Sequence, residues 1–425
     1  MLDARLIRSD PDAARAALAR RGVGGLVDEF LAVDGRRREL LGRVEALRAD
    51  RNTAARAIAE ARREGRDGAA EIARQAALKD GQAAGEAELS AAEQELQELM
   101  LRMPNLPHPD VPFGTSDEDA ALVRVHGEPP EFSFTPRDHL DLAGPGGLGM
   151  IDQEAASRVS GSRFHYLLGD LVRLEFALMQ WGMLKLVGRG FTPVIPPVLV
   201  KQEAMVATGF FPEMVDQSYA LSSDPLFLVG TAEVPLAAMH GGRVLAEADL
   251  PLRYVGFSSC FRREAGAAGK DTRGIFRVHQ FDKLEMFAYV HPDTSWEEHE
   301  RLLAIEEEIA TELGFHYRVV DIAAGDLGAP AARKYDIEVW LPGQGRYREL
   351  TSCSNTTDYQ ARRGDIRFRS ARGPRPVHTL NGTALTSSRT LLALIEYGQR
   401  EDGSIVTPAV LHPFGAPAVI GPPAA

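Results

Sequence analysis

The chain has 425 residues, 44% hydrophobic and 25% charged, an ordinary globular composition with room for two or three domains. No run approaches the roughly 18 to 20 apolar residues that a membrane span needs. The opening Met-Leu-Asp-Ala-Arg-Leu-Ile-Arg also lacks the apolar core of a signal peptide, so a soluble, cytoplasmic protein without a membrane partner is expected. The formal net charge of −12 argues against nucleic acid as a bulk partner, although a polyanion responds to the local distribution of charge.

The first hundred residues stand apart. From Gly35 to Met103 there is no proline, and Ala, Glu, Arg, Leu and Gln dominate. Leu40, Val44, Leu47, Ala54 and Ile58 follow spacings of three, four or seven, as do Leu89, Ala92, Leu96, Leu99 and Met103. Both are heptad-like seams. Between them R-E-G-R-D-G, Arg63 to Gly68, breaks the helix. The pattern predicts two long helices zipped into an antiparallel hairpin. Arg36, Arg37, Arg38, Arg43, Arg48, Arg51, Arg56, Arg62 and Arg63 crowd the first helix, while Glu71, Glu86, Glu88, Glu93, Glu95 and Glu98 make the second acidic. Two readings fit: a solvated coiled coil laced by interhelical ion pairs, or an Arg-lined arm for a phosphate backbone.

The proline-rich run M-P-N-L-P-H-P-D-V-P-F-G, Met103 to Gly114, ends the helix and reads as a stiff linker. The boundary is set here, with an arm over residues 1–108 and a second domain over 109–425. In that domain F-T-P-V-I-P-P-V-L-V, P-L-F-L-V and Y-D-I-E-V-W-L read as strands. The β-α-β alternations are too few for a doubly wound sheet, so the expected class is α+β around a largely antiparallel sheet. Cys260 and Cys353 are the only cysteines, and neither belongs to a C-x-x-C pair. Two buried thiols are expected rather than a zinc site or a disulfide.

Three stretches carry chemistry. In the first, Tyr254 to Phe261 and Ile275 to Phe287 read as strands joined by Arg262 to Gly274. Strand alternation then sets Arg277, His279, Phe281, Lys283 and Glu285 on one face, and Phe276, Val278, Gln280, Asp282, Leu284 and Met286 on the other. The first row has cations at one end, a flat aromatic in the middle and a carboxylate at the other end. It suits phosphates, a stacked base and an ammonium, or else a solvent face with cross-strand ion pairs. In the second, H-T-L-N-G-T-A-L-T-S-S-R-T-L-L-A-L-I-E, a strand and turn lead into an amphipathic helix starting near Thr386. Arg389 lies in its first turns, where the helix dipole disfavours a cation, so it is expected to meet an anion such as a phosphate; the alternative is a surface arginine paired with a nearby acid. In the third, R-Y-R-E-L-T-S-C-S-N-T-T-D-Y-Q-A-R-R, Arg346 to Arg363, Glu349 and Ser352 offer hard oxygens of the kind Mg²⁺ accepts; the alternative is a polar strand edge.

Together these stretches resemble the motifs of class II aminoacyl-tRNA synthetases, and most closely the bacterial seryl-tRNA synthetase family. L-V-G-T-A-E-V-P-L, F-R-R-E-A-G with D-T-R-G-I-F-R-V-H-Q-F-D-K-L-E, E-L-T-S-C-S-N, H-T-L-N-G with R-T-L, V-S-G-S-R-F and P-N-L-P-H-P-D-V-P carry the likeness over essentially the whole chain. The resemblance implies a coiled-coil arm on a catalytic domain whose antiparallel sheet is flanked by helices. It implies activation of L-serine by ATP with Mg²⁺, and transfer of serine to the 3′ end of serine tRNA and also of selenocysteine tRNA. The arm would grip the long variable arm of the tRNA across a homodimer, by shape and backbone.

The resemblance also assigns residues. Thr231, Glu233, Glu285 and Thr383 would bind serine. Arg262 would bridge serine and the α-phosphate, with Glu264 in the ATP site and Phe281 stacking on adenine. Arg277 and Arg389 would hold the outer phosphates, and Glu349 and Ser352 would reach Mg²⁺ and ATP. Catalysis would fall to Arg262 and Arg389. The chain departs from the family in T-A-L-T-S-S-R, Thr383 to Arg389, where S-G-L-A-V-G-R is common, and at Gly230, where proline is common. Three alternatives stay open: a divergent duplicate serving biosynthesis or antibiotic self-resistance, a carrier-protein aminoacyl ligase, and a catalytically dead RNA-binding protein.

Overall fold

The computed structural model describes residues 1–266, 269, 271 and 273–421. They divide into two compact units. One holds Leu2–Ala19 and Val23–Met103; the other holds Met1, Arg20–Gly22 and the chain from Pro104 onward.

The smaller unit is built on two long helices, α1 (Leu26–Arg63) and α2 (Ala69–Arg102). Val44, Ala54 and Ile58 of α1 and Leu89, Ala92 and Leu99 of α2 are buried along the expected seam. The helices approach closely at Gly85, where a Cβ would stand 3.1 Å from Val44 Cγ2. The turn at Glu64–Gly68 uses Gly65 at φ +69°, a left-handed conformation that glycine adopts freely. Arg36–Glu95, Arg43–Glu88 and Arg48–Glu86 pair across the helices. Exposed pairs of this kind contribute only about 0–1 kcal/mol each; their effect is to favour one register. Asp34 is buried and compensated by Arg8, Arg37 and Arg38 at 3.1–3.6 Å.

The larger unit is α+β. Among the described residues its main sheet has eight strands: β1 (Ala121–His126), β2 (Thr192–Val194), β3 (Leu252–Phe261), β4 (Gln280–Val290), β5 (Tyr317–Asp321), β6 (Arg333–Leu341), β7 (Arg346–Asn355) and β8 (His378–Thr386). Their order is β1-β5-β6-β7-β8-β4-β3-β2. Every pairing is antiparallel except β2 with β3, which is parallel.

The two faces of the sheet bury different side chains. Leu284, Met286, Ala288 and Val290 of β4 join one core with α3 (Asp170–Gly188), α5 (Ser295–Glu312) and α7 (Ser387–Tyr397). Phe287 and Tyr289 point the other way, to Leu236 and Ala237 of the short helix α4 (Glu233–Ala238) and to Phe368. Alternation along one strand thus packs a helical layer behind the sheet and leaves its centre open in front.

One expectation and one alternative need correction. The second strand of the first stretch begins at Gln280, not Ile275. The backbone ahead of it is drawn partly elsewhere: Ile275 N donates to His139 Nε2 and His279 N to the Arg163 carbonyl, while the His279 carbonyl still accepts from Arg262 N. Phe276 and Val278 therefore do not follow the strand alternation expected of them. Second, E-L-T-S-C-S-N is a polar strand edge only in part: β7 pairs with β6 along its length, and with β8 from Cys353 to Asn355. The expected joining loop also contains Ala267, Ala268, Lys270 and Thr272, which lie outside the described residues.

Candidate active site

A cavity of about 310 Å³ opens over the centre of the sheet. Its floor comes from β4, β7 and β8. On β4, Phe281, Lys283 and Glu285 line it together, as the alternation from Phe281 onward predicts. On β7 and β8 simple alternation fails. β7 pairs Thr351 with Ile337 and Glu349 with Glu338, which leaves Leu350 as an extra residue. β8 pairs Leu385 with Leu284 and Thr383 with Glu285, which leaves Ala384 extra. Each bulge turns residues three apart onto one face. Glu349 and Ser352, and likewise Thr383 and Thr386, all line the cavity.

One wall is the turn into α4, with Thr231 and Glu233. Gly256 of β3 makes room for it, since a Cβ there would stand 2.9 Å from Leu236 Cδ1 and 3.1 Å from Ala232 Cβ. Arg262, just past β3, is oriented by its Nε donating to the Gly230 carbonyl at 3.1 Å. Its guanidinium lies 5.2 Å from the Phe281 ring centre.

The opposite end is cationic. Arg277 Nη1 donates to Glu264 Oε2 at 2.7 Å. Arg389, in the first turn of α7, stands 3.2 Å from Glu349 Oε2 and 4.7 Å over the Phe276 ring. Arg348 covers the same ring at 3.6 Å and pairs with Asp271 at 2.7 Å. Burial favours the neutral acid at Glu349, but Arg389 and Lys334 overcome it and hold the carboxyl below its ordinary range. Glu349 is therefore an ionised, hard oxygen donor at neutral pH.

The end at Thr231 and Glu233 behaves differently. Burial, with the nearby Glu285 carboxylate adding to it, raises the Glu233 carboxyl to about 7. Lys283 forms an ion pair with Glu285. Asn381 Nδ2 and Gln360 Nε2 both donate to Glu233 Oε1, at 3.0 and 2.7 Å.

All the candidate residues meet here: Thr231, Glu233, Arg262, Glu264, Arg277, Phe281, Glu285, Glu349, Ser352, Thr383 and Arg389 line one cavity. Sequence reasoning did not single out Lys334, Arg348, Gln360 or Asn381. Asn381 and Arg348 lie inside quoted motifs and share strands with chosen residues. Gln360 lies in the third stretch as well, but its partners Glu233 and Thr208 are far away in the chain.

The chain can now be set beside known proteins. The profile of the seryl-tRNA synthetase N-terminal domain matches residues 1–107, and that of the tRNA synthetase class II core domain (G, H, P, S and T) matches residues 219–397. A serine–tRNA ligase of Thermobifida fusca is 50% identical over 424 residues, covering 99% of each chain. The chain belongs to the seryl-tRNA synthetase family. Among solved structures, a seryl-tRNA synthetase from Pyrococcus horikoshii complexed with ATP superposes with a TM-score of 0.94 at 41% identity, covering 99% of this chain and 100% of that one. A cytoplasmic serine–tRNA ligase from Naegleria fowleri in complex with AMP gives 0.88 at 32% identity, covering 100% and 99%.

Proposed function

We propose that this chain activates L-serine with ATP, giving seryl-adenylate and pyrophosphate, and then transfers serine to the 3′ end of serine tRNA, with selenocysteine tRNA as a further acceptor. The observation that carries the reading is one cavity with buried carboxylates at one end and arginines at the other. The full-length match, arm included, does not favour a carrier-protein ligase.

Thr231, Glu233, Glu285 and Thr383 hold serine. A site that hydrogen-bonds a substrate hydroxyl discriminates strongly against the analogue that lacks it, because its polar groups are left unpaired. Arg262 bridges the serine carboxylate and the α-phosphate, with Glu264 beside it, and Phe281 stacks on adenine. Arg277 and Arg389 take the outer phosphates. The serine carboxylate attacks the α-phosphorus, the bond to the leaving pyrophosphate breaks, and no protein nucleophile is required. Arg262 and Arg389 lower the barrier by alignment and by stabilising developing charge.

Mg²⁺ fits the donor set at Glu349 and Ser352. Among the described residues no group of three His, Cys, Asp or Glu side chains could cage a metal. Mg²⁺ commonly uses one or two protein oxygens and completes its shell with phosphate and water. Bound there, it would neutralise phosphate charge.

The arm, taken as residues 1–108, grips the tRNA, and residues 109–425 form the catalytic domain. Arg56 and Arg62 of α1 are exposed and would face a phosphate backbone. The chain works in the cytoplasm as a homodimer, and exposed Phe176, Leu184 and Ile195 offer apolar surface to a second copy. The test is serine-dependent ATP–pyrophosphate exchange, followed by charging of serine tRNA with and without its long variable arm. Exchange with arm-dependent charging is expected. Exchange without charging would overturn the transfer step, and absence of exchange would overturn the activation step.

A further inference from the structure

Gln360 lies on α6 (Tyr359–Arg363) and is 1% exposed, too deep to meet a substrate. Its amide is fully engaged. Nε2 donates to Glu233 Oε1 at 2.7 Å and to the Thr208 carbonyl at 3.1 Å. Oε1 accepts from Thr379 Oγ1 at 2.9 Å, and Thr356 Oγ1 lies 3.4 Å away on the same side. A flipped amide would turn its oxygen onto a carboxylate and a carbonyl and its N–H groups onto two hydroxyls. The network therefore admits one orientation.

The consequence falls on Glu233. Asn381 Nδ2 reaches the same oxygen, Oε1, at 3.0 Å. Both donors thus anchor one carboxylate oxygen, and no hydrogen bond among the described residues takes up Oε2. The charged groups facing Glu233 are Glu285, Lys283 and Arg262. Without a fixed anchor, repulsion from Glu285 would be free to turn the carboxylate out of line.

We infer that Gln360 is a positioning residue for the amino-acid substrate: by holding Glu233 Oε1 it aims Oε2 at serine and so sets serine affinity from beneath the site. The inference rests on the reading of Glu233 as a serine ligand. Gln360 also supplies a hydrogen bond that lowers the Glu233 carboxyl, against burial and Glu285, which raise it. Removing that donor moves the carboxyl further up. The acid limb of kcat/KM for serine then shifts to higher pH.

The experiment is ATP–pyrophosphate exchange on the full chain, with serine and ATP varied separately across pH, for Gln360→Met, Thr379→Val and Glu233→Gln. Losing a hydrogen bond to a carboxylate is expected to raise the serine KM of Gln360→Met roughly tenfold. The ATP KM should stay within about twofold, and the acid limb should move up. Thr379→Val, which loosens Gln360 without removing it, should raise the serine KM by a smaller factor of about three. A folded Gln360→Met with an unchanged serine KM, or with serine and ATP constants rising together, overturns the inference. If Gln360→Met does not fold, Thr379→Val decides in the same way. An unchanged serine KM in Glu233→Gln would instead overturn the serine-site reading itself. A raised one beside a normal Gln360→Met would sink the positioning role alone.

Discussion

Arg389 Nη1 lies 3.2 Å from Glu349 Oε2 and also 3.2 Å from the Glu349 carbonyl oxygen. The first turn of α7 is thereby fastened to β7, and the guanidinium is held against the cavity with Phe276 beneath it. Removing it takes a cation from where phosphate charge develops. The cost to the fold is limited because Lys334 still faces the Glu349 carboxylate. Arg389→Ala is expected to lower serine-dependent pyrophosphate exchange by at least about a hundredfold, with a thermal midpoint within a few degrees of the parent. Near-normal exchange would remove Arg389 from the catalytic role.

The arm can be tested by excision. Arg36 and Glu95 pair across the two helices, so a short loop can replace the segment between them. Such a chain should keep pyrophosphate exchange and lose tRNA charging. Charging at the parental rate would show that the arm does not grip tRNA.

Gly256 can be used to press on the wall proposed to hold serine. With Ala232 Cβ only 3.1 Å from the added methyl, Gly256→Ala must push the turn that carries Thr231 and Glu233 outward. Overpacking of this kind costs about 1–3 kcal/mol. The serine KM should rise several-fold while the ATP KM changes less. Equal change in both would show that the strain spreads through the whole cavity.

A pH signature comes from Glu175 on α3. Burial, with Asp282 adding to it, raises its carboxyl from 4.5 to about 7, against a hydrogen bond from Ser387. The folded state then binds more protons than the unfolded one between those values. Its contribution to stability is present at low pH and is lost as pH rises through about 7. Glu175→Gln should remove about 2 kcal/mol of that loss, read as the change in urea midpoint between pH ~5 and ~8. His299, whose burial lowers it to about 4, works in the opposite direction in parent and variant alike and cancels in the comparison. An identical pH dependence in the two proteins would show that Glu175 ionises normally.

Much of the architecture was legible because it is local or periodic. The heptad seams of α1 and α2 depend on spacing alone, and Val44, Ile58, Leu89 and Leu99 are buried along them. The same holds for Phe281, Lys283 and Glu285, which share a face because β4 is regular there. Arg389 was legible through the helix dipole only as a cation in need of an anion; the partner the fold supplies is Glu349, the nearby acid of the alternative reading.

The tertiary structure decided what periodicity could not. Glu349 and Ser352 share the cavity because of the extra residue at Leu350, and Thr383 and Thr386 because of the one at Ala384. A bulge is a property of two paired strands, so neither strand announces it alone. Gln360 reaches Glu233 across 127 positions, and Thr208 across 152. The sequence by itself determined the family's motifs, the hairpin and the alternating strand that carries Phe281 and Glu285, since each follows from neighbours along the chain. Only the folded chain decided which oxygen of Glu233 is anchored and where Glu349 points, because those depend on contacts between segments that nothing but packing brings together.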